Sequence, residues 1–249
     1  MTHHAALCTE LQAIARDAGE AILAIYNTDF DVRRKDDASP VTEADEAAEA
    51  VILEGLARIA PDIPVVAEES VSAGRIPDVS GGRFWLVDPL DGTKEFINRN
   101  GEFTVNIALI ENGQPVIGVV YAPAIGRMFC GYGDSATGDG APIAAQKVPE
   151  KGLTVIASRS HRDYKTEEFL EAYDVKELKS AGSSLKLCLI AAGEADMYPR
   201  LGRTMEWDIA AGHAVLRAAG GTVTTIDGAP FLYGKPGFEN PFFVAWGRR

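Results

Sequence analysis

The segment Trp85–Phe96, WLVDPLDGTKEF, places Asp88 and Asp91 at the end of an apolar run, with Pro89 between them and Gly92 after them. Two carboxylates held about 4 Å apart repel by roughly 4 kcal/mol at an effective dielectric near 20. A surface turn relieves that repulsion with water, but FWLV ahead of Asp88 argues for a half-buried position. Pro89 stiffens the turn, and Gly92 admits close backbone approach. A carboxylate pair fixed in this way suits a shared hard cation. Mg²⁺ takes oxygen ligands, often one or two carboxylates plus substrate phosphate oxygens. The competing reading is an Asp-Pro turn in which Asp91 caps a helix starting at GTKEF.

Three other places hold acids that bear on that choice. Glu68 and Glu69 end the apolar stretch IPVVAEES, which reads as a short strand. Consecutive strands are often neighbours, so Glu68 is within reach of Asp88. Asp208 lies early in the helix beginning MEWDIAAG, where an acid also complements the helix dipole. Asp45 follows Thr42 by three residues, the spacing of a capping box.

The elements that position these acids follow from periodicity. Leu7, Leu11, Ile14, Ala18, Ile22 and Ile25 recur near helical spacing and predict a first amphipathic helix ending near Tyr26. Thr42 opens a second helix that runs to about Ala60, before Pro61. RFWLVDPLDG is an apolar strand entering a turn. TVNIALIENGQPVIGVVYAP is two strands joined at Asn112-Gly113, a strong hairpin signal. The front half therefore reads as two helices on a largely antiparallel sheet. Beyond Leu153 strands and helices alternate, and Gly220-Gly221 closes the last long helix. Gly, Pro and Lys cluster near 140–150, which divides the chain into an α+β lobe, 1–145, and an α/β lobe, 146–249.

The chain has 249 residues, 46% of them hydrophobic, and a formal net charge of −12. That length supports a sizeable core, as one large domain or two tightly joined lobes. The acidic balance argues against nucleic acid, which is held by Lys and Arg neutralising phosphates. A phosphorylated small molecule remains open to it, given a local positive source. Cys8, Cys130 and Cys188 are odd in number and widely spaced, so neither a disulfide framework nor a metal knuckle is expected. A reducing, cytoplasmic setting is expected. The N-terminal residues lack the pattern of a signal peptide, and no apolar run approaches the length of a membrane span.

Together, DPLDGT followed by Phe96, the upstream VVAEES, WDIAAG near the C-terminus, and Asp45 in VTEADEAAE resemble the inositol monophosphatase superfamily, in order and over nearly the whole chain. DPLDGTKEF, SSLKLCLIAAGEADMYPRLG, MEWDIAAGHAV and ENPFFVA resemble its 3′(2′),5′-bisphosphate nucleotidase branch, of the sulfate-assimilation type.

The resemblance implies a layered αβαβα sandwich and a Mg²⁺-dependent, lithium-sensitive phosphatase using two to three ions. One ion is implied on Glu68, Asp88 and the Leu90 carbonyl, and a second on Asp88, Asp91 and Asp208. A weaker third uses Glu68 and water. Thr93 with Asp45 orients and deprotonates the attacking water, while Gly92 and Thr93 amides hold phosphate oxygens. His161, Ser183, Lys186 and Arg200 are implied to line the nucleotide side, with Lys94 and Arg203 as further candidates. The implied reaction removes the 3′-phosphate of adenosine 3′,5′-bisphosphate, and of its sulfated form, by direct attack of water. An inositol, histidinol or sugar monophosphatase is the alternative within the family. A non-catalytic, metal-dependent phospho-ligand binder is the alternative outside enzymology. A homodimer and peripheral attachment to the inner membrane stay open.

Overall fold

The computed structural model describes residues 2–28, 33–34, 40–158 and 164–249. Helix α1 (Thr2–Tyr26) is followed by a two-stranded ribbon, β1 (Arg33–Arg34) and β2 (Pro40–Val41), and by α2 (Glu43–Ile59). Leu11, Ile14, Ala15, Ala18 and Ile22 form one buried stripe on α1, as the spacing predicts. Thr42 caps α2 with the full capping box.

The larger sheet holds seven strands in sequence order: β3 (Val65–Ala67), β4 (Arg83–Asp91), β5 (Thr104–Glu111), β6 (Gln114–Ala122), β7 (Arg127–Tyr132), β8 (Ser135–Gly138) and β9 (Ala141–Pro142). All neighbours are antiparallel except β3 and β4. Asn112 and Gly113, both at positive φ, turn the β5–β6 hairpin. Short helices α3 (Glu68–Ser72) and α4 (Thr93–Ile97) follow β3 and β4.

The smaller sheet has the order β11–β10–β12–β14–β13. It comprises β10 (Leu153–Ser158), β11 (Val175–Ala181), β12 (Met197–Arg200), β13 (Thr222–Thr225) and β14 (Phe243–Trp246). Helices α5 (Tyr164–Leu170), α6 (Leu185–Ala191) and α7 (Glu206–Ala218) interleave with these strands.

Strand alternation sorts the larger sheet's side chains between two cores. Trp85, Val87, Ile107 and Val119 pack with Leu11, Ile14 and Ile52 of α1 and α2. Phe84, Leu86, Ala108 and Val120 pack with Leu187, Ile190, Ala211 and Val215 of α6 and α7. Tyr198 and Phe243 of the smaller sheet join that second core. Phe169 and Leu170 of α5 pack on the far side of the smaller sheet, against Leu153, Val155 and Trp246. The layers are therefore α1/α2, large sheet, α6/α7, small sheet, α5. This is an α+β sandwich of the αβαβα kind. A sheet covered on both faces reads as near-continuous apolar strands, which explains RFWLV. Helix α7 lies directly on β6, where a Cβ at Gly118 would stand 2.2 Å from the Ala211 carbonyl oxygen.

Two expectations change. Glu68 and Glu69 do not end a strand but form the first turn of α3. Cys8 and Cys130 are joined as a disulfide, although 122 residues separate them in sequence. Folding lays α1 across the sheet and brings Cys8 over β7, so their sequence spacing carries no information about their distance. Cys188 is free and buried.

Candidate active site

Strand register brings the first two acids together. Val66 pairs with Leu86 and Ala67 with Val87 in the parallel β3–β4 pair. Glu68 and Asp88 therefore leave the paired stretch side by side. Asp88 is in phase with Phe84 and Leu86 and so faces the α7 layer. The β4–β5 register then shifts between Asp88 and Asp91. Asp88 accepts a hydrogen bond from the Leu90 amide at 3.0 Å, which closes the DPLD bend on itself. Gly92, at φ 91°, is the N-cap of α4 and turns the chain into Thr93.

Helix α2 sets two parts of the site. Asp45 accepts from the Thr42 amide and hydroxyl at 2.8 Å each through Oδ2. Its Oδ1 stands 3.5 Å from Thr93 Oγ1, at the outer limit of a hydrogen bond. The capping role and the contact with Thr93 coexist, because each oxygen serves one of them. One turn on, buried Glu49 accepts from the Glu69 amide at 2.8 Å and the Ser70 hydroxyl at 2.6 Å. Ala67, the N-cap of α3, offers no side-chain cap, so Glu49 supplies acceptors for the helix that carries Glu68.

Asp208 arrives from the other direction. Its Oδ2 accepts from the Met205 amide at 2.8 Å in the first turn of α7. A cleft of about 250 Å³ is lined by Glu68, Asp91, Thr93 and Asp208, and also by Ser183, Lys186, Arg200 and Arg203. Gly92, Lys94, Glu95 and Tyr198 complete much of its wall. His161 falls in 159–163, outside the described residues.

The charges in this cleft are unbalanced. Burial raises the Asp91 carboxyl to about 6, against the opposing pull of Lys186 and the Ser184 amide. Burial, then Asp91 and Glu68, push Asp208 well above the usual carboxylate range. On the cationic side, burial pulls the Lys186 ammonium down to about 8. Lys186 Nζ donates to the Ser183 carbonyl at 2.6 Å and sits 5.4 Å from the centre of the Tyr198 ring. Arg200 donates from Nη2 to the Arg203 carbonyl at 3.0 Å. Its Nε is buried with no hydrogen-bond partner among the described residues, as is Ser183 Oγ. Ser183 also sits at φ 46°, a conformation that concentrates at functional sites. Arg203 pairs with exposed Glu239 at 3.2 Å.

Among the described residues, no three acidic, histidine or cysteine side chains converge, as placed, on one ion position. The amides of Leu90, Ser184 and Met205 each donate to one of Asp88, Asp91 and Asp208. The donor set nonetheless fits a hard divalent cation. It is all oxygen, its buried carboxyls Asp91 and Asp208 are pushed toward protonation by burial first, and Asn106 Oδ1 beside them is a buried acceptor without a partner among the described residues.

A sequence profile of the inositol monophosphatase family matches residues 5–241. The chain belongs to the inositol monophosphatase family. Within that family it is 48% identical over 235 residues to the 3′(2′),5′-bisphosphate nucleotidase CysQ of Shigella flexneri, covering 92% of this chain and 95% of that one. The CysQ structure from Bacteroides thetaiotaomicron superposes with a TM-score of 0.84 at 36% identity, covering 98% of both chains. The inositol monophosphatase structure from Anabaena superposes at 0.77 with 27% identity, over 99% of this chain and 92% of that one. No helix among the described residues is long and apolar enough to cross a membrane.

Sequence reasoning about this family member missed Glu49, Glu102 and Ser184. Glu49 had a faint signal. It shares the face of Ala48 and Ile52 on an amphipathic helix, and an acid there must find buried donors. Ser184 contributes a backbone amide, which no residue type announces.

Proposed function

We propose that this chain is a Mg²⁺-dependent 3′(2′),5′-bisphosphate nucleotidase that converts adenosine 3′,5′-bisphosphate to AMP and phosphate. We extend the same reaction to the sulfated form of that nucleotide. The observation that carries the proposal is the composition of the cleft, where acids suited to a cation face Lys186, Arg200 and an unpartnered Ser183 hydroxyl. A monophosphate needs only the first set. A bisphosphate needs a second anion site for the phosphate that stays. The similarity to CysQ nucleotidases supports the same reading.

Glu68, Asp88, the Leu90 carbonyl, Asp91 and Asp208 are the groups that would hold Mg²⁺. When bound, Mg²⁺ supplies positive charge against the phosphoryl oxygens and acidifies the attacking water. The chain's own residues do the rest. Thr93 Oγ1 donates toward Asp45 Oδ1, so its lone pairs accept from the water and aim it at phosphorus. Asp45 takes up the proton through that hydroxyl. The Gly92 and Thr93 amides, at the start of α4, bind phosphoryl oxygens. Lys186, Arg200 and Ser183 hold the 5′-phosphate, and Arg203 and Lys94 add positive charge at the rim. His161 is retained as a nucleotide contact.

The test is phosphate release from a panel of adenosine 3′,5′-bisphosphate, its sulfated form, inositol 1-phosphate, histidinol phosphate and fructose 1,6-bisphosphate, with Mg²⁺ and with added Li⁺. The nucleotide substrate is expected to lead by kcat/KM, and Li⁺ to inhibit. Faster turnover of inositol phosphate would replace this reading by the monophosphatase one. No Mg²⁺-dependent release from any substrate would leave a phospho-ligand binder.

A further inference from the structure

The turn Gly182–Ser184 links β11 to α6 and is the backbone from which the second anion site hangs. Lys186 Nζ donates to the carbonyls of Ser183 at 2.6 Å and Ala181 at 3.4 Å, so the ammonium moves with the turn. Ser183, strained at φ 46°, holds there a hydroxyl with no partner among the described residues. The turn is tied to the facing elements at three points: Ser184 Oγ donates to the Asp208 carbonyl at 2.6 Å, and two carboxylates borne on the β4–β5 side of the cleft accept from its amides. Asp91 Oδ2 accepts from the Ser184 amide at 2.7 Å, and Glu102 Oε2 accepts from the Gly182 amide at 2.8 Å.

The two carboxylates differ in kind. Asp91 belongs to the cation site. Glu102 lies in the loop before β5, is half-buried, and has no part in the chemistry described above. The turn nevertheless presses hard against it. A Cβ at Gly182 would stand 2.6 Å from the Glu102 carbonyl oxygen and 2.9 Å from Glu102 Cβ, so only glycine fits at that point. The Glu102 backbone is itself held by a bond from its amide to Asn100 Oδ1 at 2.9 Å. The Glu102 carboxylate also favours the charged form of Lys186. A short charge-assisted bond, a backbone contact that excludes any side chain, and a bracing turn together make a fixed anvil for the Gly182 amide.

We propose that Glu102 is a positioning residue for substrate specificity: by fixing the Gly182–Ser184 turn it places Lys186 and Ser183 to recognise the phosphate that is not hydrolysed. This rests on the bisphosphate reading of the cleft. Loss of Glu102 then weakens recognition of the second phosphate and leaves hydrolysis of the first intact. A merely structural glutamate would affect all substrates alike.

Steady-state kinetics of the full-length protein at saturating Mg²⁺ test this, with adenosine 3′,5′-bisphosphate compared with adenosine 3′-monophosphate. For Glu102→Ala the KM for the bisphosphate is expected to rise about tenfold, the scale of one lost charge-assisted hydrogen bond. Its kcat is expected to stay within about twofold, and the KM for the monophosphate to hold. Glu102→Gln, whose amide oxygen still accepts from Gly182, is expected to recover most of the loss, and Glu102→Asp, one methylene too short to reach the Gly182 amide, is expected to show the same KM rise if the alanine protein folds poorly. An unchanged bisphosphate KM in Glu102→Ala, or an equal loss on both substrates, overturns the proposal while the wild-type preference for the bisphosphate stands. A wild-type enzyme with no such preference overturns the bisphosphate reading itself, and the proposal with it.

Discussion

Asp91→Asn is expected to make the metal-free protein more stable while abolishing turnover. Burial is the main reason the Asp91 carboxyl sits at about 6 and not at 3.8. A raised carboxyl pKa means that above about pH 6 the folded chain holds an anion it binds less well than the unfolded chain does. The shift of about two units corresponds to roughly 3 kcal/mol against folding at pH 8. Lys186, the Ser184 amide and Asn106 favour the anion and offset part of the burial cost, while Glu95 adds to it. Asparagine keeps the shape and the carbonyl acceptor while dropping the charge. In chelator at pH 8 the variant should therefore melt about 6–12 °C above wild type, since each kcal/mol is worth roughly 2–4 °C in a chain of this size. The advantage should shrink as pH falls through 6 and vanish below about 4, where Asp91 is protonated in both folded and unfolded wild type. Addition of Mg²⁺ at a thousandfold excess over Kd should reverse the order, raising wild type by about 4.1 kcal/mol and the variant hardly at all. Scanning calorimetry over pH 4–8, with chelator and with Mg²⁺, reads each of these. A variant that melts at or below wild type at pH 8 without metal, or that keeps its activity, refutes the assignment of Asp91 as a buried, cation-seeking ligand.

Glu49→Ala removes two hydrogen bonds to a buried carboxylate, worth about 3 kcal/mol together, so the melting temperature should fall by roughly 6–12 °C. The same variant should weaken Mg²⁺ binding by about 10–100-fold, read by calorimetric titration. Thr93→Val should lower kcat by about 10²–10³ with little change in KM, and Thr93→Ser should restore most of it. Lys186→Met should raise KM for the bisphosphate by about 10–100-fold but leave that for adenosine 3′-monophosphate nearly unchanged, which side-by-side initial rates would show.

The parts of the site that could be read from sequence are those whose geometry is local. Asp88, Asp91, Gly92 and Thr93 lie in one bend, and Thr42 with Asp45 is a capping box whose spacing alone predicts its bonds. The Asn112-Gly113 hairpin is local in the same sense. Glu68 shows where that legibility stops. An apolar run followed by acids reads as a strand reaching solvent, yet the chain turns helical at Glu68, and the side chain accepting from α3 is Glu49, two elements away. The Cys8–Cys130 link and the Glu102–Gly182 contact are of this kind, since each depends on where a sheet places residues distant in sequence.

Why the site forms at this seam follows from the layering. β4 is apolar on both faces until Asp88, because each face has helices against it. At Asp88 the covered stretch ends, the β4–β5 register breaks, and the chain bends into α4. The strand end thus offers carboxylates but little positive charge, and the outer helices add only the acids Asp45 and Glu49. Lys186 comes from α6, in the middle helical layer, and Arg200 from β12 of the small sheet beyond it. They face the acids where α7 lies directly on β6, with no side chain at Gly118 to hold it off, and where the turn before α6 is tied to Asp91, Glu102 and the Asp208 carbonyl. A fold that loosened either contact would keep its carboxylates and lose the cations opposite them. On the proposed bisphosphate reading, discrimination between one phosphate and two therefore depends on the packing of the α6/α7 layer against the large sheet, whereas hydrolysis depends on the bend at the end of β4.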